Sequence, residues 1–240
     1  MLLGCNNQNS FTNDLIDIEE KLEEANYLIE KNQCIKASEI LLQLPDNKNN
    51  PKIFETWGYY YLRLYKLKEA KEMYAKSLQL DPTNDAALAS LADAYSLNGE
   101  YEKATFLLDE AIKINPQSSK HYYLYGDHYR RKNDISNATH FFEKAIEKGM
   151  RKDVVFAQMG WAYFDVNDLA KSGKKFNESL KQNSTYDMAI IGLGSIYAKF
   201  GFLELSKRQY YKAIKINPLN ILPYEELKKY HNISLKRPIE

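Results

Sequence analysis

The sequence predicts an all-α solenoid, that is, a stack of antiparallel helix pairs, and two observations carry this prediction. The pentapeptide IKINP occurs at 112–116 and again at 214–218, so its copies start 102 residues apart, which is three times 34. A tyrosine also returns every 34 residues, at Tyr61, Tyr95, Tyr129, Tyr163 and Tyr197. A fixed period of this length indicates a repeat array in which each unit is one supersecondary structure.

Each 34-residue unit contains the pattern of two helices joined by a short turn. In residues 85–118, the apolar Leu88, Leu91 and Tyr95 share one face of a first helix. Asn98-Gly99 is a helix stop, and Pro116 ends the second helix because proline has no N–H and clashes with the preceding turn.

Small residues recur where the two helices of a unit must approach closely. A longer side chain at these places would hold the two backbones apart, and large apolar side chains elsewhere fill the seam. The first helices hold Gly58, Ala92, Gly126, Gly160 and Gly194, the second helices hold Ala70, Ala104, Ala138, Ser172 and Ser206, and the seam holds Tyr74, Leu108, Phe142, Phe176 and Tyr210.

This pattern resembles the tetratricopeptide repeat (TPR) family. The shared features are the 34-residue period, small residues at places 8, 20 and 27, tyrosine at place 11 and proline at place 32. Met150 and Ser184 depart from the family by replacing that proline. The resemblance implies a right-handed TPR superhelix of five units, at 51–84, 85–118, 119–152, 153–186 and 187–220.

The flanking segments extend this array. Residues 13–50 resemble a degenerate N-terminal TPR-like helix pair, in which Pro45 arrives four residues early. Residues 221–240 are predicted to form a C-terminal capping helix with a polar outer face, followed by a tail. Residues 1–12 are interpreted as a truncated lipoprotein signal with its lipobox and a polar tether.

The N-terminal stretch Leu2-Leu3-Gly4-Cys5 resembles a bacterial lipobox, which would make Cys5 the site of lipidation. Only four residues precede Cys5, whereas a signal peptide needs a basic region and an apolar region of about 7–15 residues. Two interpretations stay open: the chain starts inside its own signal, or the match is chance.

Composition and motifs exclude several function classes. The net charge of +1 argues against nucleic acid as a partner, although residues 1–50 are acidic and residues 201–240 are basic. No apolar run of 18 residues occurs, so membrane contact is expected only through the lipid anchor. The two cysteines and four histidines lack metal-ligand spacing, and no nucleophile elbow or phosphate-binding loop is present. We therefore predict no catalytic residue, no cofactor and no metal.

The resemblance places residues 2, 5, 9 and 12 of each unit on a concave groove that binds a protein or peptide. No asparagine occupies these places, so the carboxylate clamp of the cytosolic TPR co-chaperones is not expected. Asp127 follows Tyr123 by one helical turn and precedes Trp161 by 34 residues, which predicts a carboxylate between two aromatic rings, suited to a basic partner residue. The predicted groove residues are Tyr59, Asp93, Tyr123, Asp127, Arg130, Trp161 and Phe164.

These observations predict a non-enzymatic protein–protein interaction scaffold. The first hypothesis is a TPR lipoprotein tethered to the periplasmic face of a bacterial membrane, which holds a peptide or protein during assembly of envelope or pilus machinery. The alternative is a soluble cytoplasmic TPR adaptor or secretion chaperone with an unmodified Cys5. The sequence names neither the partner nor the oligomeric state.

Overall fold

The computed structural model describes residues 6–44 and 50–235, with side chains from residue 16 onward. Every regular element in these ranges is an α-helix, so the predicted all-α fold is confirmed. The helices are α1 (Asn6–Glu30), α2 (Cys34–Gln43), α3 (Pro51–Arg63), α4 (Leu67–Leu80), α5 (Asp85–Leu97), α6 (Tyr101–Ile114), α7 (Ser119–Arg131), α8 (Ile135–Glu147), α9 (Lys152–Asp165), α10 (Leu169–Gln182), α11 (Asp187–Lys199), α12 (Leu203–Ile216) and α13 (Leu222–His231).

The turns between paired helices repeat one backbone conformation. Each turn has a residue with positive φ at the same place of the period, and these are Tyr65, Gly99, Asn133, Asn167 and Gly201. Glycine and asparagine tolerate this left-handed conformation, and each ends a helix there. Tyr65, with φ of 60°, is the exception, since a bulky side chain is strained in that region.

Helix contacts divide the chain into two units, and the boundary along the sequence falls between Asn98 and Gly99, inside the second predicted repeat. In the first unit α1 packs on α3 and α3 on α5; in the second unit α7 packs on α9, α9 on α11 and α11 on α13. Among the described residues, no two of the even-numbered helices make such a contact. The odd-numbered helices lie closer together and therefore form the inner face of each unit.

The seams within helix pairs are built on glycine facing an aromatic ring. A Cβ atom added to Gly126 would lie 2.5 Å from Phe142, and one added to Gly160 would lie 2.6 Å from Phe176. Phe176 is also covered by Gly192 of the next pair, where an added Cβ would come closer still. These rings are fully buried, so the small residues are required by packing.

The two ends of the chain differ in how far the structure describes them. Helix α1 begins at Asn6, so residues 6–12, predicted as a tether, have a helical backbone. Cys5 lies outside the described residues. Helix α13 packs on α11 and α12 and buries Leu227 completely, as a capping helix does. None of the described helices is both long enough and apolar enough to cross a membrane.

Candidate functional site

The inner helices of the second unit carry a strip of half-buried apolar side chains. Tyr123 lies on α7, Trp161 and Phe164 lie on α9, and Met188 lies on α11. Val154, at the start of α9, belongs to the same strip. We call these five residues the aromatic inner face. Each of the five is at place 2, 5, 9 or 12 of its unit, and Trp161 packs against one apolar cluster with Met188 and against another with Phe164.

Beside the aromatic inner face, an ion-pair network joins α7 to α9. The Nε atom of Arg130 donates to Asp127 Oδ1 at 2.8 Å, and its Nη1 atom donates to Asp165 Oδ2 at 2.6 Å. Arg131 donates from Nε and Nη2 to the other Asp127 oxygen, at 2.9 and 2.6 Å. Asp127 therefore has both oxygens occupied by arginines of its own helix.

The electrostatics of Asp127 follow from this network. Burial opposes ionisation of the carboxyl group, but Arg130 and Arg131 outweigh burial and lower its pKa below the ordinary value. The pKa of Arg130 is raised: burial opposes its charge, and Asp127 and Asp165 more than compensate. The carboxylate is thus ionised and already neutralised, which differs from the expectation that it awaits a basic group of a partner.

Trp161 lies against the core as well as on the inner face. Its ring makes edge contacts with Phe164 at 5.4 Å and with the fully buried Phe176 at 5.3 Å, measured between ring centroids. Its Nε1 atom is buried and has no hydrogen-bond partner. The structure therefore pairs Trp161 with other aromatic rings, whereas the sequence predicted a pairing across Asp127.

Phe164 forms the edge of the strip next to α11. The Nζ atom of Lys199 lies 4.3 Å from the centroid of the Phe164 ring and donates to Asn167 Oδ1 at 3.0 Å. A cation at this distance from a ring face is attracted by the ring quadrupole. Phe164 is half-buried, so part of its apolar surface stays open to a partner.

The inner face closes at its C-terminal end. Ile191, Ser195 and Ala198 hold the equivalent places on α11, and all three are buried. Helix α13 covers this region, and its Glu226 Oε2 lies 3.1 Å from Ser195 Oγ. The open apolar surface therefore centres on α9 and does not continue along α11.

Tyr59 and Asp93 lie in the first unit, and the other five predicted groove residues lie in the second. Both side chains are half-buried, and burial is the main cause that raises the pKa of Tyr59. The sequence analysis missed an open pocket of about 260 Å³ between α1 and α3 in this unit. Its lining is mainly polar: Glu19, Leu22, Glu23, Asn26, Lys52, Glu55 and Thr56. The acidic surplus of residues 1–50 was the signal that could have indicated it.

The described residues offer no arrangement for metal chemistry. No group of three or more His, Cys, Asp or Glu side chains within them is placed to hold a metal ion. Cys34 is buried in the first unit. The arrangement can bind a partner through apolar contacts with the aromatic inner face, which is bordered by the ion-pair network of Asp127, Arg130 and Asp165.

Two sequence profiles described as Tetratricopeptide repeat match residues 61–127 and 120–147. None of the curated proteins matches the chain by sequence.

Several solved structures share the fold at low sequence identity. TTC0263, a thermophilic TPR protein of Thermus thermophilus, superposes with a TM-score of 0.66 at 18% identity, over 76% of this chain and 100% of its own. A chain of the APC/C hetero-tetramer Cut9–Hcn1 gives 0.65 at 16% identity, over 88% of this chain. This chain spans only 42% of that one.

The Pseudomonas aeruginosa pilF structure gives a TM-score of 0.58 at 14% identity, over 90% of this chain and 99% of its own. At these identities the similarities show the fold alone. The two profile matches show tetratricopeptide repeats between residues 61 and 147, and the five units in register carry the same pattern over residues 51–220.

Proposed function

We propose that this protein is a non-enzymatic scaffold that holds a segment of a partner protein on the aromatic inner face. TPR folds generally serve as non-catalytic scaffolds that bind proteins or peptides. The observation that carries the proposal is a partly exposed apolar surface beside charged groups that already pair with one another. Phe164 and Trp161 leave part of their rings uncovered, while Asp127 beside them is saturated by arginines.

This pairing defines the chemistry of the partner. Half-buried aromatic rings on a rigid helix are typical anchors for binding energy, because they lose little conformational freedom on binding. The arginines that neutralise Asp127 leave it no net attraction for a basic side chain. We therefore expect an extended or helical segment whose apolar side chains pack on Phe164, Trp161 and Met188.

Site-specific photocrosslinking in the native cell tests this proposal. A photoreactive phenylalanine analogue replaces Phe164 in one variant and Phe106 in another. Phe106 is a matched control because it is 64% exposed on α6 and does not belong to the aromatic inner face. Protein adducts at position 164 and not at 106 are expected. Equal adducts at the two positions, or none at 164, would refute the proposed site.

We propose further that Cys5 carries a lipid anchor and that the scaffold works at the periplasmic face of a bacterial membrane, in assembly of envelope or pilus machinery. The support is the sequence Leu2-Leu3-Gly4-Cys5, since Cys5 lies outside the described residues. Metabolic labelling with a palmitate analogue should label the native gene product and not its Cys5→Ser variant. An intact mass that shows an unmodified Cys5 would reject the anchor without affecting the crosslinking result.

A further inference from the structure

The turn between α11 and α12 exposes a cluster of apolar side chains. Phe200 is 59% exposed and Phe202 is 56% exposed, and their ring centroids lie 6.4 Å apart on either side of Gly201. Leu203 and Leu205 follow at the start of α12 and are 45% and 42% exposed. We call these four residues the aromatic corner.

The equivalent turns of the second unit show that the fold does not require this cluster. At the place of Phe200, the α7–α8 turn has Lys132 and the α9–α10 turn has Val166. At the place of Phe202, those turns have Asp134 and Asp168. The α7–α8 turn therefore forms with polar residues at both places, and neither turn has a phenylalanine, so the two phenylalanines need another explanation.

Phe202 also lacks the N-cap hydrogen bond that stabilises the equivalent helices. Asp134 and Asp168 cap α8 and α10 by accepting hydrogen bonds from the backbone N–H groups of Asn137 and Lys171. Phe202 is the N-cap of α12 and provides no side-chain cap. An exposed phenylalanine thus occupies a position where a capping aspartate would stabilise the helix.

The exposed face of α12 beyond the corner is basic. Arg208, Lys212 and Lys215 follow one another at helical spacing on this face, and all three are exposed. Tyr211, 40% exposed, lies among them. Glu204 is the acidic residue of this helix. Apolar rings at a tip with a row of cations behind them are the complement of an anionic lipid surface, where rings enter the interface and cations meet phosphates.

We propose that the aromatic corner and the basic face of α12 dock this protein on anionic phospholipid bilayers. The corner lies on a turn with open space around it, since a Cβ added to Gly201 meets no atom within 4 Å. Protein anchors usually sit in well-packed, desolvated pockets, whereas exposed rings on a turn suit insertion into headgroups. The inference uses residues separate from the aromatic inner face and does not depend on lipidation of Cys5.

Vesicle co-sedimentation tests this proposal on the full chain carrying Cys5→Ser. The vesicles contain equal parts of phosphatidylglycerol and phosphatidylcholine, with pure phosphatidylcholine as the uncharged comparison. The double variant Phe200→Asn, Phe202→Asp copies Asn98 and Asp134, which hold these places in other turns, and provides a cap, so it should melt no lower than the parent. Its partitioning to the anionic vesicles should fall about tenfold or more.

Charge and control variants sharpen the result. Arg208→Gln and Lys212→Gln should each weaken binding to the anionic vesicles about fivefold. Val166→Asn removes an exposed apolar residue from the equivalent α9–α10 turn and should leave partitioning unchanged.

Three outcomes would overturn the proposal. The parent could fail to sediment with anionic vesicles, or the double variant could sediment as well as the parent. Sedimentation velocity could instead show a self-associated parent that the double variant converts to monomer, which would make the corner a contact between copies of this chain.

Discussion

The two units of this protein are built from the same type of helix pair, and they differ in the side chains on the inner face of their odd-numbered helices. In the first unit, α1 and α3 line an open pocket with Glu19, Glu23 and Glu55, and Lys52 pairs with Glu19 at 2.8 Å. In the second unit, α7 and α9 present aromatic rings beside a closed ion-pair network. The repeated helix pair thus determines which positions of the period lie on the inner face. The residue types at those positions determine the chemistry of that face.

The seam tyrosines give a second comparison between the units. Tyr74 in the first unit and Tyr210 in the second occupy the same place, and both are fully buried. Burial is the main cause that raises the pKa of each hydroxyl group. The Tyr210 hydroxyl donates to Glu226 Oε2 at 3.1 Å, whereas that of Tyr74 lies near Ser90 and makes no hydrogen bond of ordinary geometry. The capping helix provides this partner through Glu226.

The largest effect is expected at the closed network of the second unit. Asp127→Asn leaves Arg131 and part of Arg130 without an anion in a buried setting, so the free energy of unfolding should fall by about 3 kcal/mol. Glu23→Gln, on the open pocket of the first unit, removes an exposed charge and should change stability by less than about 0.5 kcal/mol. Urea denaturation measures both. Equal effects would show that the carboxylates on the two inner faces contribute equally to stability.

The ion-pair network of Asp127 also predicts a pH dependence of stability. The pKa of Asp127 is lower in the folded protein than in the unfolded chain, so its contribution is fully present above an unfolded pKa of about 3.9. That contribution is lost as the pH falls through the folded pKa. Below about pH 4 the parent should lose more stability than Asp127→Asn does. Parallel curves would contradict the ion-pair assignment.

An intermediate effect is expected at the seam around Phe176. Gly192→Ala drives a Cβ atom into the buried ring and should lower the free energy of unfolding by about 1–3 kcal/mol. Gly173→Ala is the matched control on α10, because its new Cβ would meet only Ile196 Cδ1 at 3.6 Å, an ordinary contact. That change should stabilise the protein by about 0.5–1 kcal/mol through helix propensity. Thermal melts that rank the two variants in the opposite order would place the seam elsewhere.

The smallest effect separates the two tyrosines. Tyr210→Phe removes one of the donors to Glu226 and should cost about 1 kcal/mol of unfolding free energy. Tyr74→Phe removes a buried hydroxyl that makes no hydrogen bond of ordinary geometry, so it should be neutral or slightly stabilising. Chemical denaturation of the two variants side by side distinguishes them. A larger loss for Tyr74→Phe would mean that its hydroxyl has a role that the geometry does not show.

The helix pairs could be predicted from the sequence because packing imposes a strict period on small and aromatic residues. Gly126 and Gly160 face their rings as expected, and α13 covers the last pair. The turn after α3 shows a limit of such reasoning. Tyr65 takes the left-handed conformation that the period demands there, although its own preference is against it.

The candidate site was less predictable, because the depth of a side chain depends on neighbours that the period does not specify. Trp161 packs on the fully buried Phe176, so this place of the predicted groove is partly core. The neutralisation of Asp127 did have a signal, since Arg131 follows it by four residues on the same helix. The contact between Ser195 and Glu226 had no such signal in the sequence, because it depends on how α13 packs against α11.

The central claim is that a partner protein binds the aromatic inner face of the second unit, and its affinity for three variants tests this claim most directly. The captured partner is titrated against Phe164→Ala, Tyr59→Ala in the first unit and Phe106→Ala on α6, with thermal melts of each variant. Phe164→Ala should lose about 2 kcal/mol of binding free energy with a melting temperature close to that of the parent, while the other two bind normally. Unchanged affinity for Phe164→Ala together with a loss for Tyr59→Ala would contradict the account and move the site to the first unit.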